Sequence, residues 1–288
     1  MEHEETIQTI TPAGTPVVPF LNPVRLFLHL WGFREIIRPM TRREIAGRYR
    51  GSWLGVGWSF LQPLLMLCVY TFVFSVVFEI RWGMSGEESR SAFAIALFMG
   101  LISFSIFSET VNAAPSAVLS NPNLVKRVVF PLEVLPLVRL LGSFVQAFFS
   151  LAVLVLAMIA VFGTVPWTIL LLPLVWLPLG LFTLGIAYFL AAIGVFIRDT
   201  GALTSIFTTM LLFLSPIFYP LRAVPERFHF LYRLNPIAVF VEEARKVALW
   251  GAFPDWGWLF AAAVFSLAVL IFGFLWFMKS KNAFADVL

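Results

Sequence analysis

Long uncharged apolar runs, separated by short charged gaps, set the plan of this chain. Residues 51–78 carry no charge, and a bilayer core of about 30 Å takes about 20 apolar residues in a helix. A second run, from about Phe93 to Leu119, is interrupted only by Glu109. From Leu140 to Ile197 there are 58 uncharged residues. At about 1.5 Å per residue that makes about 87 Å of helix, far more than one crossing. Gly163-Thr164-Val165-Pro166 is a turn signal in its middle. The pattern predicts an all-α integral membrane protein. Six transmembrane helices fall at about 53–79, 93–118, 134–162, 167–197, 200–221 and 256–278, which puts both termini on one side.

The segments outside these runs carry helix signals of their own. Asn22-Pro23 joins a capping residue to a proline at the first helical position. Val24, Phe27, Leu28 and Trp31 follow at helical spacing, with Arg25 and His29 one turn apart. This predicts an N-terminal amphipathic helix lying in the membrane interface. Pro39 is expected to break the chain, and Thr41 with Glu44 to form a capping box that starts a second, Arg-rich helix leading into span one. Interface helices thus fill 23–50. Residues 1–22 read as a flexible tail, because Met1 to Glu5 is acidic and the next stretch is rich in Thr and Pro, unlike a signal peptide.

Between spans five and six, Asn235-Pro236 again reads as cap and first position. Ile237, Phe240, Val241, Ala244, Val247 and Ala248 line one face, while Glu242, Glu243, Arg245 and Lys246 occupy the other. Glu242 and Lys246 are one turn apart, and Gly251 is placed to end the helix. About 15 residues with four charges cannot span a bilayer. A helix on, or re-entrant into, the outer leaflet is expected. Gly51 and Gly55 form a G-x-x-x-G pair compatible with close helix contact.

Composition closes off the soluble classes. Apolar residues make up 60% of the chain and charged ones 12%, against about 45–50% and about 25% in soluble proteins. That excludes a soluble enzyme, a disordered regulator and a disulfide scaffold; the single cysteine, Cys68, lies within an apolar run. The charges sit in the gaps between runs rather than on one solvated face, so nucleic acid is not an expected partner. Arg25, Arg34, Arg38, Arg42, Arg43, Arg48, Arg50, Lys126, Arg127, Arg139, Arg198, Lys279 and Lys281 fall on one side. The other side holds Arg81, Arg90, Arg222, Arg227, Arg233, Arg245 and Lys246. The richer side is expected to be cytoplasmic, with both termini. Nine tryptophans fall near predicted span ends, as an interfacial belt places them.

No catalytic or metal-binding constellation can be assembled. His3, His29 and His229 have no second ligand at a useful spacing, and no G-x-x-x-x-G-K-[ST] is present. Glu109 is the one strong ionisable candidate inside a span, and it either couples an ion or plays a structural, cavity-lining part. An ion-coupled carrier of a small or lipid substrate is therefore one functional class left open. A lipid-directed membrane enzyme is a weaker third, with no residues to carry it.

The gap after span two reads Ser120-Asn121-Pro122-Asn123-Leu124-Val125-Lys126-Arg127-Val128-Val129-Phe130-Pro131-Leu132-Glu133-Val134-Leu135-Pro136. It resembles the signature of the membrane subunit of polysaccharide-exporting ABC transporters, the ABC-2 permeases for O-antigen, capsule and teichoic acid. Arg48-Tyr49-Arg50-Gly51-Ser52-Trp53-Leu54-Gly55 and Gln62-Pro63-Leu64 resemble that family's approach to its first span. Phe196-Ile197-Arg198-Asp199, Ser215-Pro216-Ile217-Phe218-Tyr219-Pro220 and Leu234-Asn235-Pro236 are similar to its later motifs. The resemblance runs from about residue 24 to 280.

It implies a non-enzymatic permease of the bacterial inner membrane, exporting a lipid-linked polysaccharide, O-antigen first. The chain would form a homodimer with two copies of an ABC ATP-binding subunit, which would hold ATP and Mg; no cofactor belongs to this chain. Asn121, Pro122, Asn123, Leu124, Val125, Lys126, Arg127, Phe130 and Pro131 would couple to the ATPase, with Arg198-Asp199 in a second inside turn, where Asp199 alternatively serves only as a helix cap. The helices between spans five and six would form an external gate. Arg42, Arg43, Arg48 and Arg50 serve either topology and headgroup contact or substrate access from the cytoplasm.

Overall fold

The computed structural model describes residues 18–73, 90–125, 130–219, 224–228, 230, 232 and 235–287. All regular structure among them is helical. Among the described residues five helical stretches are long and apolar enough to cross a membrane: Gly55–Val73, Ala92–Ala113, Val134–Phe162, Trp167–Phe196 and Trp256–Ala283. In chain order the helices are α1 (Pro23–Gly32), α2 (Arg34–Arg48), α3 (Trp58–Tyr70), α4 (Arg90–Ala113), α5 (Ser116–Leu119), α6 (Pro122–Val125) and α7 (Val134–Phe162). There follow α8 (Leu172–Phe196), α9 (Thr200–Leu214), α10 (Pro236–Ala248), α11 (Trp256–Ser280) and α12 (Phe284–Val287). The outer end of the first predicted span, 74–79, lies outside the described residues.

α4 and α8 form the middle of the bundle, and α8 lies along α11 at backbone contact. A Cβ built on Gly185 would sit 2.6 Å from the backbone nitrogen of Leu270, and one on Gly273 would strike the carbonyl of Gly185. Small residues permit this approach, which in lipid is a main source of helix association. The Gly51/Gly55 pair plays no such part. Both glycines have positive φ, 82° and 51°, and open space around them; they shape the turn between α2 and α3. Gly163, at φ 71°, closes α7 where the turn signal predicted it.

At the terminus-bearing end, Asn22 caps α1 as expected, its Oδ1 accepting from the Val24 N–H at 2.9 Å. The expected break at Pro39 does not occur. α2 runs unbroken from Arg34 to Arg48 with Pro39 inside it, and the chain turns instead at Phe33, just after Gly32. The carbonyl that loses its partner to Pro39 belongs to Glu35, which is exposed and can be solvated. Thr41 therefore caps nothing, and its buried hydroxyl has no partner among the described residues.

α9 is shorter than its predicted span: it has 15 residues, about 22 Å of rise, because Ser215-Pro216 ends the helix. α10 also departs from expectation. It is buried against α4, α8 and the 3-10 turn Trp167–Leu171, with Glu243 and Arg245 inside the protein. Its charges pair as Glu242–Arg245 and Glu243–Lys246 rather than as Glu242–Lys246.

Candidate functional site at the terminus-bearing end

Between α4 and α7 the chain makes an excursion that is described at 114–125 and 130–133. Asn121 folds back on α5, its Nδ2 donating to the Ala117 carbonyl at 3.0 Å, and its own carbonyl accepts from the Leu124 N–H at 3.0 Å. Pro122 then starts α6. Pro122 and Asn123 are exposed at the tip, while Leu124, Val125 and Phe130 are half-buried and Pro131 is buried. Lys126 and Arg127 lie outside the described residues. The exposed Arg198-Asp199 turn is at the same end, since Gly194 meets the Pro115 backbone so closely that a Cβ would strike its carbonyl. Among the described residues no bond joins Arg198 or Asp199 to the 121–131 segment. Asp199 precedes α9 without a side-chain capping bond.

A cavity of about 710 Å³ separates this segment from α2, lined by Arg43, Glu44 and Arg48 on one side and Asn121, Leu124, Phe130 and Arg139 on the other. The four arginines singled out by sequence divide here: Arg43 and Arg48 line the cavity, whereas Arg42 and Arg50 are exposed outside it. Glu44 accepts from Arg139 of α7. Arg48 pairs with Glu109 at 2.8 Å, so Glu109 has a cationic partner close to the end of α4. The Tyr49 hydroxyl donates to Gln146 Oε1 at 2.8 Å, and Gln146 Nε2 donates to the Ser59 carbonyl at 3.3 Å. These bonds tie the approach to α3 onto α7.

A second polar centre sits at the opposite end of the bundle. Arg245 is fully buried. Its guanidinium donates to the carbonyls of Ala96 at 2.9 Å, Pro216 at 2.5 Å and Ile217 at 2.8 Å, and to Glu242 at 2.9 Å. Burial pulls this guanidinium below the ordinary arginine value, and Glu242 opposes that pull. Gly100 makes the room, since a Cβ there would lie 2.6 Å from Arg245 Nη2. Asn235 caps α10 and donates to Ser215 Oγ at 2.9 Å, so α10 is fastened to the point where α9 ends.

Most of α2, the 121–131 excursion and α10 fall within the stretch matched by a family model, whereas α1 precedes it. Residues 36–249 match the model for the ABC-2 type transporter. The chain belongs to the ABC-2 type transporter family. Several permeases of that family align over most of its length. The O-antigen export system permease protein RfbA of Myxococcus xanthus is 30% identical over 266 residues, covering 91% of this chain and 99% of that protein. Its namesake from Klebsiella pneumoniae is 24% identical over 259 residues, covering 88% and 95%. The polysialic acid transport protein KpsM of Escherichia coli is 26% identical over 249 residues, covering 86% and 94%. An ABC-2 permease is a multi-pass membrane protein, and the five long apolar helices among the described residues agree with that. Among the described residues no group of side chains could hold a metal ion.

The sequence pointed to Glu109 and the cavity arginines but missed their partners. Glu44 and Arg139 are 95 residues apart, Arg48 and Glu109 61; only the packing of α2 across α4 and α7 brings them together. Arg245 was misplaced because helical periodicity assigns charges to the solvated face.

Proposed function

We propose that this chain is the permease subunit of an ATP-driven exporter of a lipid-linked polysaccharide, with O-antigen as the first choice of glycan. In this reading residues 23–288 form one transmembrane domain behind a cytoplasmic tail. The domain works as a homodimer with two copies of a separate ATP-binding subunit, which carries ATP and Mg. It sits in the inner membrane with both termini cytoplasmic. The carrying observation is the exposed Pro122-Asn123 tip between α4 and α7, set beside the arginine-bearing α2 in an ABC-2 chain whose relatives are named for O-antigen and polysialic acid transport. The Lys and Arg excess at this end supports its cytoplasmic placement. Asn121 to Val125, Lys126, Arg127, Phe130 and Pro131 would dock on the ATPase, with Arg198-Asp199 as a second contact. Arg42, Arg43, Arg48 and Arg50 would guide the anionic lipid carrier, and α10 would belong to the external gate.

The test is co-purification with the partner ATPase, together with surface glycan measured after deletion of the chain. Loss of surface glycan with lipid-linked glycan trapped inside is the expected result. A chain that purifies alone, with normal surface glycan on deletion, overturns the proposal. Changing Lys126 and Arg127 together to Glu should release the ATPase and stop export while the spans stay folded. Unchanged binding and export would remove those two residues from the docking surface.

A further inference from the structure

Glu133 occupies the N-cap position of α7 and caps nothing. Only 2% of it is exposed, and its carboxylate turns away from the helix end. One oxygen accepts from His29 Nε2 of α1 at 3.0 Å, the other from Lys281 Nζ just beyond α11 at 2.7 Å. The backbone carbonyl of the same residue accepts from the Tyr188 hydroxyl of α8 at 2.8 Å. One residue thus joins three elements that are otherwise distant in the chain.

The join is stiff. Glu133 follows Pro131 by two residues, through a turn in which the Pro131 carbonyl accepts from the Val134 N–H at 3.1 Å. Displacement at Phe130-Pro131 therefore reaches the carboxylate with little slack. Tyr188 packs on Phe274 and Phe277 at ring distances of 5.1 and 5.5 Å, a buried surround in which water cannot readily replace its bond to the Glu133 carbonyl. His29 is held between Phe20 at 4.8 Å and Phe33 at 5.0 Å. On its other side α1 presents Val24, Phe27, Leu28 and Trp31, each more than half exposed. Leu26 and Leu30 are its only buried residues, and the Glu133–His29 bond is the polar tie that adds to them.

We infer that Glu133 is the positioning residue through which movement of the 121–131 segment reaches α1 and the end of α11. The inference rests on the proposed docking of that segment on an ATPase. It assigns a role to three residues, His29, Glu133 and Lys281, that the docking surface does not include.

The experiment uses the full permease–ATPase complex and reads three quantities: ATPase retained, ATP turnover in lipid nanodiscs, and surface glycan in complemented deletion cells. If the wild-type chain retains no ATPase, the docking proposal itself fails. With docking intact, Glu133→Gln should retain the ATPase and its turnover while surface glycan falls roughly 3- to 30-fold, and Glu133→Asp should recover part of the loss. Wild-type glycan in Glu133→Gln at equal complex level overturns the inference, as does a loss no greater than the loss of folded complex. Should Glu133→Gln fail to accumulate, Lys281→Met and His29→Ala decide. Each should lower glycan at unchanged ATP turnover, and wild-type export in both overturns the inference.

Discussion

Arg245 is intelligible only beside the break at Ser215-Pro216-Ile217. Non-helical backbone at membrane depth is tolerated where the protein satisfies its polar groups. Two of the carbonyls freed by that break, those of Pro216 and Ile217, accept from the Arg245 guanidinium. The planar fork of donors suits this task, and an ammonium cannot reproduce it. Arg245→Met should therefore lower the stability of the purified permease by about 3–5 kcal/mol, leaving Glu242 and several carbonyls unpaired. Arg245→Lys should recover only part. Gly100→Ala should act in the same direction by pushing the guanidinium out of place. A thermal melt in detergent checks all three, and a melt unchanged by Arg245→Met would show that the carbonyls find other donors. Periodicity could not reveal this residue, because a buried arginine on a short helix carries the same sequence signal as a solvated one.

Most crossings were legible in the sequence as elements, because charge-free runs of this length have one stable outcome in a membrane. Gly163 and the Asn22 and Asn235 caps were legible for an equally local reason. What sequence could not give was the partner of each face. The G-x-x-x-G spacing pointed to Gly51 and Gly55, yet the close contact is made by Gly185 and Gly273, which lie on different helices and share no local motif. Gly185→Ala should drive a methyl group into the Leu270 backbone and cost about 1–3 kcal/mol, the usual penalty of overpacking. Gly201→Ala in α9 is the control. A Cβ there meets nothing within 4 Å, so stability should stay level or rise. Equal melting temperatures for Gly185→Ala and the unmodified chain would show that α8 and α11 can separate at no cost.

For the whole molecule, the decisive question is where the energy for transport enters. An ion-coupled carrier needs an ionisable group that takes up and releases its ion within the span. Glu109 was the sequence candidate, and its isolation in an apolar run gave the idea its force. In the folded chain it is bonded to Arg48 near the end of α4, with about a third of its side chain exposed, so it needs no bound ion to balance its charge. Such a partly exposed pair contributes about 1 kcal/mol or less. Glu109→Gln should therefore leave the protein folded and change export only modestly. Collapsing the proton gradient at constant ATP should leave surface glycan unchanged in both Glu109→Gln and the unmodified chain. Export that stops with the gradient, and loses that dependence in Glu109→Gln, would place energy coupling at Glu109. Export that follows ATP alone would place it on the partner subunit, reached through the 121–131 segment.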